Sequence, residues 1–133
     1  MAIADAIEQG KKGILVDGYP RCEEQVRGYE ECFKVGKLVI GSSGKPHLVL
    51  SFSVTKEYAK QRYVDRSRDV NDDEHKFEKR FVKHERENPA VEKVYRDLGT
   101  LIECDANGSK EQNVNAMMEN LSRDETWRFV ERL

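Results

Sequence analysis

Arginine is the residue type in this sequence that is most able to do chemistry, and three arginines stand at suggestive spacings. Arg62 and Arg66 are four positions apart, so on a helix their side chains project from the same face. Arg80 belongs to the next predicted helix, beyond a short polar segment. Guanidinium groups this close repel one another unless an anion lies among them, and each charge-assisted hydrogen bond to a phosphate contributes about 1.5–3 kcal/mol. The three arginines therefore suit a phosphorylated ligand.

Acidic residues beside these arginines allow a second interpretation. Asp65, Asp69 and Glu78 are near enough in sequence to pair with the arginines and so to neutralise them. The spacing alone does not choose between a ligand site and a salt-bridged helix surface.

A second candidate site is the stretch "GILVDGYPRCEEQ", residues 13–25, in which an apolar run leads into a polar turn. Asp17 stands at the end of the run, and Gly18 permits a sharp turn or the close approach of a ligand. Arg21 offers a forked, always-charged set of donors that suits phosphate, and Gln25 follows one helical turn later. Turns of this composition are common and most bind nothing, so the stretch alone is weak evidence.

Composition limits the function classes. With 133 residues the chain suits one domain, and its net charge of -2 argues against a polybasic nucleic-acid-binding protein. Three cysteines without metal-like spacing predict reduced thiols and a cytoplasmic protein. No apolar run approaches the roughly 18 residues that a membrane span needs. We therefore expect a small anionic ligand, with neither nucleic acid nor membrane as a partner.

The apolar pattern predicts alternating helices and strands. In the first part of the chain we expect a helix ending near Gly10, a buried strand at "GILV", a helix at "EEQVRGYEECF", an apolar run at "KLVI" and a buried strand over residues 48–52. Three helices should follow, one from Thr55 to about Arg66, one from about Asn71 to Asn88 and one from Pro89. The chain should end with a strand at "TLIEC", a helix after Ser109 with the apolar face Val114, Met117, Met118 and Leu121, and a last helix at about 123–133. Continuous apolar strands are typical of a parallel sheet covered on both faces, so the predicted class is α/β.

Taken together, these motifs resemble a known family. The stretch "GILVDGYPRCEEQ" resembles the DG-aromatic-PR-x-x-x-Q motif of adenylate kinases and UMP-CMP kinases. "AKQRYVDR", the polar segment after it and "HKFEKRF" resemble that family's arginine helix, lid and following helix, and "TLIECDANGSKEQ" resembles its last strand and adenine loop. The resemblance covers about residues 2–121. It implies a nucleoside monophosphate kinase that moves a phosphoryl group between a nucleoside triphosphate and a nucleoside monophosphate with Mg²⁺.

The resemblance also implies roles for individual residues. Arg21 would hold the phosphate of the accepting monophosphate and Gln25 its base, with Gly18 in the turn between the strand and that arginine. Asp17 would lie near the magnesium ion and its waters. Around the transferring phosphoryl group would stand Arg62, Arg66 and Arg80, with Arg68 in place of the usual lid arginine, while the backbone near Gly108 would meet the adenine.

The sequence departs from the family at its glycine-rich phosphate loop. That loop has the pattern G-x-x-x-x-G-K-[ST] and follows the family's first strand, and these 133 residues hold no such pattern. In the nearest imitation, "VIGSSGKPH", Val39 stands in place of the first glycine and Pro46 in place of the serine or threonine. We expect this segment to be only a turn. The lid, at about 67–73, is a few residues short.

The expected fold is therefore an incomplete, doubly wound parallel sheet with flanking helices, which forms a single partial kinase-like domain over residues 1–133. In the family the absent strand lies between the strands that match "GILV" and "LVLSF". Either these two pair directly, or "KLVI" fills the gap, or another chain or segment supplies a strand. We expect the chain alone to be inactive or nearly so. A non-catalytic scaffold or binding module of a larger assembly is the alternative, and a truncated gene model in which Met1 is internal is a third possibility.

Overall fold

The computed structural model describes residues 2–36, 45–66 and 74–133 and shows an α/β architecture. Its elements in chain order are α1 (Ala2–Glu8), α2 (Glu23–Lys34), β1 (Val49–Ser53), α3 (Lys56–Asp65), α4 (Glu74–Asp97), β2 (Leu101–Asp105), α5 (Lys110–Ser122) and α6 (Glu125–Glu131). The predicted α/β class and parallel sheet are confirmed at this level. No helix in the described part of the chain combines the length and the apolar character that a bilayer crossing requires.

In the described residues the sheet consists of β1 and β2, which pair in parallel from Val49 beside Leu101 to Ser53 beside Asp105. Val49 and Ser53 direct their backbone hydrogen bonds toward β2 and its flanking residues. Neighbouring residues of a strand direct these groups to opposite sides, so those of Leu50 and Phe52 point to the other edge of β1. Within the described ranges that edge has no partner strand, and Phe52 is 51% exposed.

The main hydrophobic core lies at the end of the sheet where the strands begin. Val26 of α2 packs there with Val91 and Tyr95 of α4, and the first residues of both strands, Val49 and Leu101, complete the cluster. Tyr95 is only 3% exposed. Burial raises the pKa of its hydroxyl to about 12, and charges on neighbouring side chains of α2 and the preceding turn add to the effect.

The segment "GILV" is not a strand, so that prediction is wrong, and of the three alternatives for the sheet direct pairing of "GILV" with β1 is excluded. Residues 13–16 are irregular, and Leu15 is 90% exposed. A strand inside a sheet needs neighbours for its backbone groups, and within the described residues β1 and β2 pair only with each other. The segment "KLVI" and the turn predicted beside it, at residues 37–44, lie outside the described residues.

The predicted break at Asn88 and Pro89 is also wrong, because α4 runs without interruption from Glu74 to Asp97. Proline removes the hydrogen bond that the backbone of Glu85 would otherwise accept. Burial on both sides of the proline offsets that loss, since Phe77 lies in the core before it and Tyr95 after it. Tertiary packing thus holds together a helix that local sequence rules would divide.

Coverage of the sheet and helices is thinner than predicted. Phe52 and Ser53 of β1 are exposed, so the strands are not covered on both faces along their whole length. On α5 the predicted apolar face is only partly used: Leu121 is buried, whereas Val114 and Met118 are exposed. Two paired strands offer too little surface to cover the whole of that face.

Candidate functional site

The carboxyl ends of the two strands bring two helix starts together. β1 leads through Thr55 into α3, and β2 leads through Ser109 into α5. The hydroxyl of Thr55 accepts a hydrogen bond from the backbone of Tyr58 at 3.3 Å, and that of Ser109 accepts one from Gln112 at 3.1 Å. Both helices therefore begin with a side-chain cap at the carboxyl end of the sheet, where their dipoles contribute partial positive charge.

Asn107 holds this junction together. Its side-chain oxygen accepts a hydrogen bond from the backbone of Thr55 at 2.8 Å, so the loop after β2 is fixed to the start of α3. Its side-chain nitrogen donates to Asp105 at 2.9 Å, and its backbone donates to the same carboxylate oxygen at 2.8 Å. The start of the loop between β2 and α5 is thus tied both to the end of β2 and to the start of α3.

Tyr58 connects two of the predicted site residues. Its hydroxyl donates a hydrogen bond to the backbone carbonyl of Gly108, and the guanidinium of Arg62 lies over its ring, 5.0 Å from the centroid. Gly108 is also held by Asn113, which accepts from its amide at 3.0 Å and donates to its carbonyl at 3.1 Å. Arg62 and Gly108 therefore meet at one aromatic side chain.

Sequence reasoning missed Tyr58, although a signal for it exists. An aromatic residue four positions before an arginine on a helix is placed to lie against the guanidinium. The same spacing is common in ordinary helix packing, so the contact with Gly108 was the part that required a structure.

Arg66 and Arg80 are exposed. Arg66 ends α3, and its Nε donates to the backbone carbonyl of Arg62 at 3.4 Å. Arg80 lies on α4, which packs against α3 through a tilted ring contact between Tyr63 and Phe77 at 5.5 Å. No contact between described residues joins Arg80 to the other two arginines. Arg68 and the predicted lid lie outside the described residues.

The acidic residues that offered the salt-bridge interpretation are occupied elsewhere where the structure describes them. Glu78 pairs with Lys56 at 2.7 Å, and this hydrogen bond raises the pKa of Lys56. Asp65 accepts a hydrogen bond from Gln61 at 2.9 Å. Asp69 lies outside the described residues. No ion pair between described residues joins Asp65 or Glu78 to the arginines, which favours the ligand interpretation of that group.

The turn after "GILV" forms a second group. Gly18 has a φ of +73°, and a side chain there would come within 2.8 Å of the Arg21 guanidinium. Nε of Arg21 donates to the carbonyl of Gly18 at 2.7 Å, and its backbone amide donates to the Gln25 side chain, also at 2.7 Å. Sequence reasoning placed Arg21 and Gln25 near each other, and they are in contact. Asp17 is exposed and has no hydrogen-bond partner among the described residues.

The two groups lie toward opposite ends of the sheet. The turn packs against Tyr29, Pro46 and Tyr95 around a small cavity of about 40 Å³, near the end where the strands begin. Gly108 follows the end of β2, and five-residue strands separate these ends by roughly 15 Å. The structure thus brings Arg62 to Gly108 and Arg21 to Gln25, and its contacts do not join these two pairs. A shallow groove on the outer face of α4 is lined by none of the predicted site residues.

Comparison with known proteins shows which proteins the chain is related to in sequence. The chain is 33% identical over 107 residues to an adenylate kinase of Leifsonia xyli, a match that covers 77% of this chain and 50% of that protein. It is 29% identical over 125 residues to adenylate kinase isoenzyme 1 of Caenorhabditis elegans, a match that covers 92% of this chain and 55% of that protein. It is also 29% identical over 116 residues to an adenylate kinase of Helicobacter pylori, a match that covers 86% of this chain and 58% of that protein. The chain is a homologue of the adenylate kinases. No family model and no solved structure matches.

The chain spans about half the length of the curated adenylate kinases that it matches. Those matches extend over most of this chain, in agreement with the resemblance of its motifs to that family. The activity and substrates of a whole adenylate kinase do not follow from a match of this extent.

A magnesium ion of the adenylate kinase type would find one suitable group in the turn. Mg²⁺ prefers oxygen ligands, and it is usually held by one or two carboxylates together with water and substrate phosphates. Asp17 supplies one exposed carboxylate, so it fits that requirement. Among the described residues no group of three or more acidic, histidine or cysteine side chains is arranged to hold a metal by itself.

Proposed function

We propose that this chain is the nucleotide-binding part of a nucleoside monophosphate kinase of the adenylate kinase type. The reaction is the reversible transfer of a phosphoryl group from a nucleoside triphosphate to a nucleoside monophosphate. The observation that carries the proposal is the sequence relationship to adenylate kinases over 77–92% of the chain. Arg62 and Gly108, placed together at one edge of the sheet, support it.

The end of the sheet where the strands finish suits the donor nucleotide. Arg62 lies half-buried on the ring of Tyr58 and forms no ion pair with Asp65, while Arg66 and Arg80 are exposed. Phosphoryl transfer depends mainly on positioning and on stabilising spread negative charge, which guanidinium groups do well. In this proposal the three arginines bind the phosphates, and the backbone at Gly108 faces the base.

The turn with Arg21 and Gln25 carries the groups that would bind the accepting monophosphate. In the described structure this turn lies toward the other end of the sheet from Arg62 and Gly108, so phosphoryl transfer in this proposal requires a rearrangement that brings the two groups together. In the described state Arg21 donates to Gly18, and Gln25 accepts from the Arg21 backbone. Both contacts are exposed, so a phosphate can replace the Gly18 carbonyl as the acceptor for Arg21 at little cost. Mg²⁺ would enter with the nucleotide and, when bound, would neutralise phosphate charge, with Asp17 as its nearest protein carboxylate.

Catalysis in this proposal requires a further segment, from this polypeptide or another, that pairs with the outer edge of β1. The outward backbone groups of Leu50 and Phe52 and the exposure of Leu15 support such pairing. A strand followed by a phosphate loop would also supply the G-x-x-x-x-G-K-[ST] pattern that these 133 residues do not contain. The chain by itself therefore turns over slowly or not at all, because its sequence lacks the glycine-rich pattern that would cradle the β-phosphate of the donor.

Nucleotide titration of the purified 133-residue chain tests the binding proposal. Arg62→Ala should weaken ATP binding by about 10- to 150-fold, the equivalent of one lost charge-assisted contact. Arg27→Ala is the matched control, since Arg27 is exposed on α2 and has no partner in the described residues. Absence of ATP and AMP binding to the wild type would refute the proposal and favour a non-catalytic scaffold.

A coupled kinase assay tests the need for a further segment. The chain alone should show turnover near the background, and addition of the amino-terminal half of the Helicobacter pylori adenylate kinase should raise it. Robust turnover by the chain alone would show that no additional segment is required.

A further inference from the structure

We propose that Tyr58 is a positioning residue that makes base recognition and phosphate binding interdependent in this chain. The inference rests on the proposed nucleotide binding and adds to it a residue with two separable functions. The ring of Tyr58 seats the guanidinium of Arg62, and its hydroxyl fixes the carbonyl of Gly108. The group that binds the phosphates, Arg62, and the backbone that faces the base, at Gly108, are thus both held by Tyr58.

The ring controls the direction of the arginine. Arg62 stands one helical turn after Tyr58, and its guanidinium is 5.0 Å from the ring centroid, within the range of a cation–π contact. A guanidinium that rests against a ring keeps its N–H groups at its rim, where they are available to a phosphate. Asp65, the acid nearest in sequence, accepts a hydrogen bond from Gln61 and has no contact with the Arg62 guanidinium among the described residues.

The hydroxyl controls the position of the loop. Without Tyr58, Gly108 is bonded only to Asn113 of the following helix among the described contacts, at its amide and at its carbonyl. The Tyr58 hydroxyl adds a bond from α3 to the same carbonyl, close to the link between Asn107 and Thr55. As a result α3 and the Gly108 loop keep a fixed separation. The distance between Arg62 and the backbone that faces the base is then fixed as well.

Two substitutions separate the two functions. Tyr58→Phe keeps the ring and removes the hydroxyl, whereas Tyr58→Leu removes both. Tyr29→Phe is the matched control, because Tyr29 lies on α2 and packs beside Tyr19 at the other end of the sheet. Each variant is titrated with ATP, with GTP and with inorganic tripolyphosphate, which carries the phosphates without a base. Thermal unfolding measured in parallel reports whether each variant is folded.

The proposal predicts a split between the probes. Tyr58→Phe should bind ATP about 3- to 10-fold more weakly, the effect of one lost hydrogen bond, and should lose part of its preference for ATP over GTP. Its affinity for tripolyphosphate should stay within about twofold, because the seat of Arg62 remains. Tyr58→Leu should weaken ATP and tripolyphosphate alike. Tyr29→Phe should leave all three affinities unchanged.

A ligand-free measurement gives a second readout. The Nε–H signal of Arg62 in an NMR spectrum should be shifted by the Tyr58 ring in the wild type and in Tyr58→Phe, and should move in Tyr58→Leu. Equal losses for ATP and tripolyphosphate in Tyr58→Phe would overturn the proposal, as would an unchanged Arg62 signal in Tyr58→Leu. If the wild type binds none of the probes, the proposed function fails and the interdependence of base and phosphate fails with it. If the wild type binds ATP and the split is absent, only the role of Tyr58 is refuted.

Discussion

Replacing Asn107 with alanine should loosen the junction that places the candidate site. The substitution removes two hydrogen bonds, one from the backbone of Thr55 at 2.8 Å and one to the carboxylate of Asp105 at 2.9 Å. A neutral hydrogen bond contributes about 0.5–1.5 kcal/mol and one to a charged group about 1.5–3 kcal/mol. Asn107 is exposed, so water replaces part of both bonds. We therefore expect a loss of about 1–2 kcal/mol in the free energy of unfolding.

Urea denaturation followed by circular dichroism measures this loss. With a denaturant slope of about 2 kcal/mol per molar urea, the midpoint of Asn107→Ala should fall by about 0.5–1 M while the slope stays constant. Asn115→Ala is the matched control, since Asn115 is exposed on α5, and alanine there should leave the midpoint equal or slightly higher. A midpoint for Asn107→Ala as high as that of Asn115→Ala would refute the idea that this side chain holds the junction.

Three further predictions follow from other parts of the fold. Stability should be full below about pH 10 and should fall by about 2–3 kcal/mol as the pH rises toward 12, because the buried hydroxyl of Tyr95, with its pKa of about 12, keeps a proton that the unfolded chain releases above about pH 10. The free energy of unfolding, measured with urea across this range, should depend much less on pH for Tyr95→Phe. Pro89→Ala restores a donor for the carbonyl of Glu85 within α4 and should raise the free energy of unfolding by about 1–2 kcal/mol, and a decrease would contradict the account of that helix. Leu15→Lys should change the stability of the isolated chain by less than about 0.5 kcal/mol, because the side chain is exposed. The same substitution should reduce the turnover that an added amino-terminal segment restores. Equal restoration in wild type and variant would show that the added segment does not cover Leu15.

Local sequence signals predicted the elements that depend on neighbouring residues. Thr55 caps its helix as predicted, and Ser109 precedes the next helix as predicted, because such caps need only a hydroxyl beside the first turn. Arg21 and Gln25 are in contact because the side chain of Gln25, in the first turn of α2, accepts a hydrogen bond from the backbone amide of Arg21 just before the helix. Arg62 and Arg66 share one helix, as predicted.

Features that depend on distant partners were not predictable. "GILV" has the composition of a strand, but a strand also needs a neighbour, and sequence composition does not show whether one is present. Pro89 is a helix breaker by local rules, and only the burial of residues such as Phe77 and Tyr95 on either side keeps α4 continuous. Tyr58 resembles a packing residue until its hydroxyl is seen against Gly108. The ligand roles of the arginines remain predictions.

The edge of β1 that has no partner strand among the described residues also affects how the isolated chain behaves at high concentration. Unpaired strand edges with apolar side chains are templates for the addition of identical strands, and Leu50 and Phe52 present their backbone groups along such an edge. Copies of the chain therefore have a route to stack on one another during expression and storage. Working in dilute solution should keep the chain monodisperse, and turbidity should increase as it is concentrated.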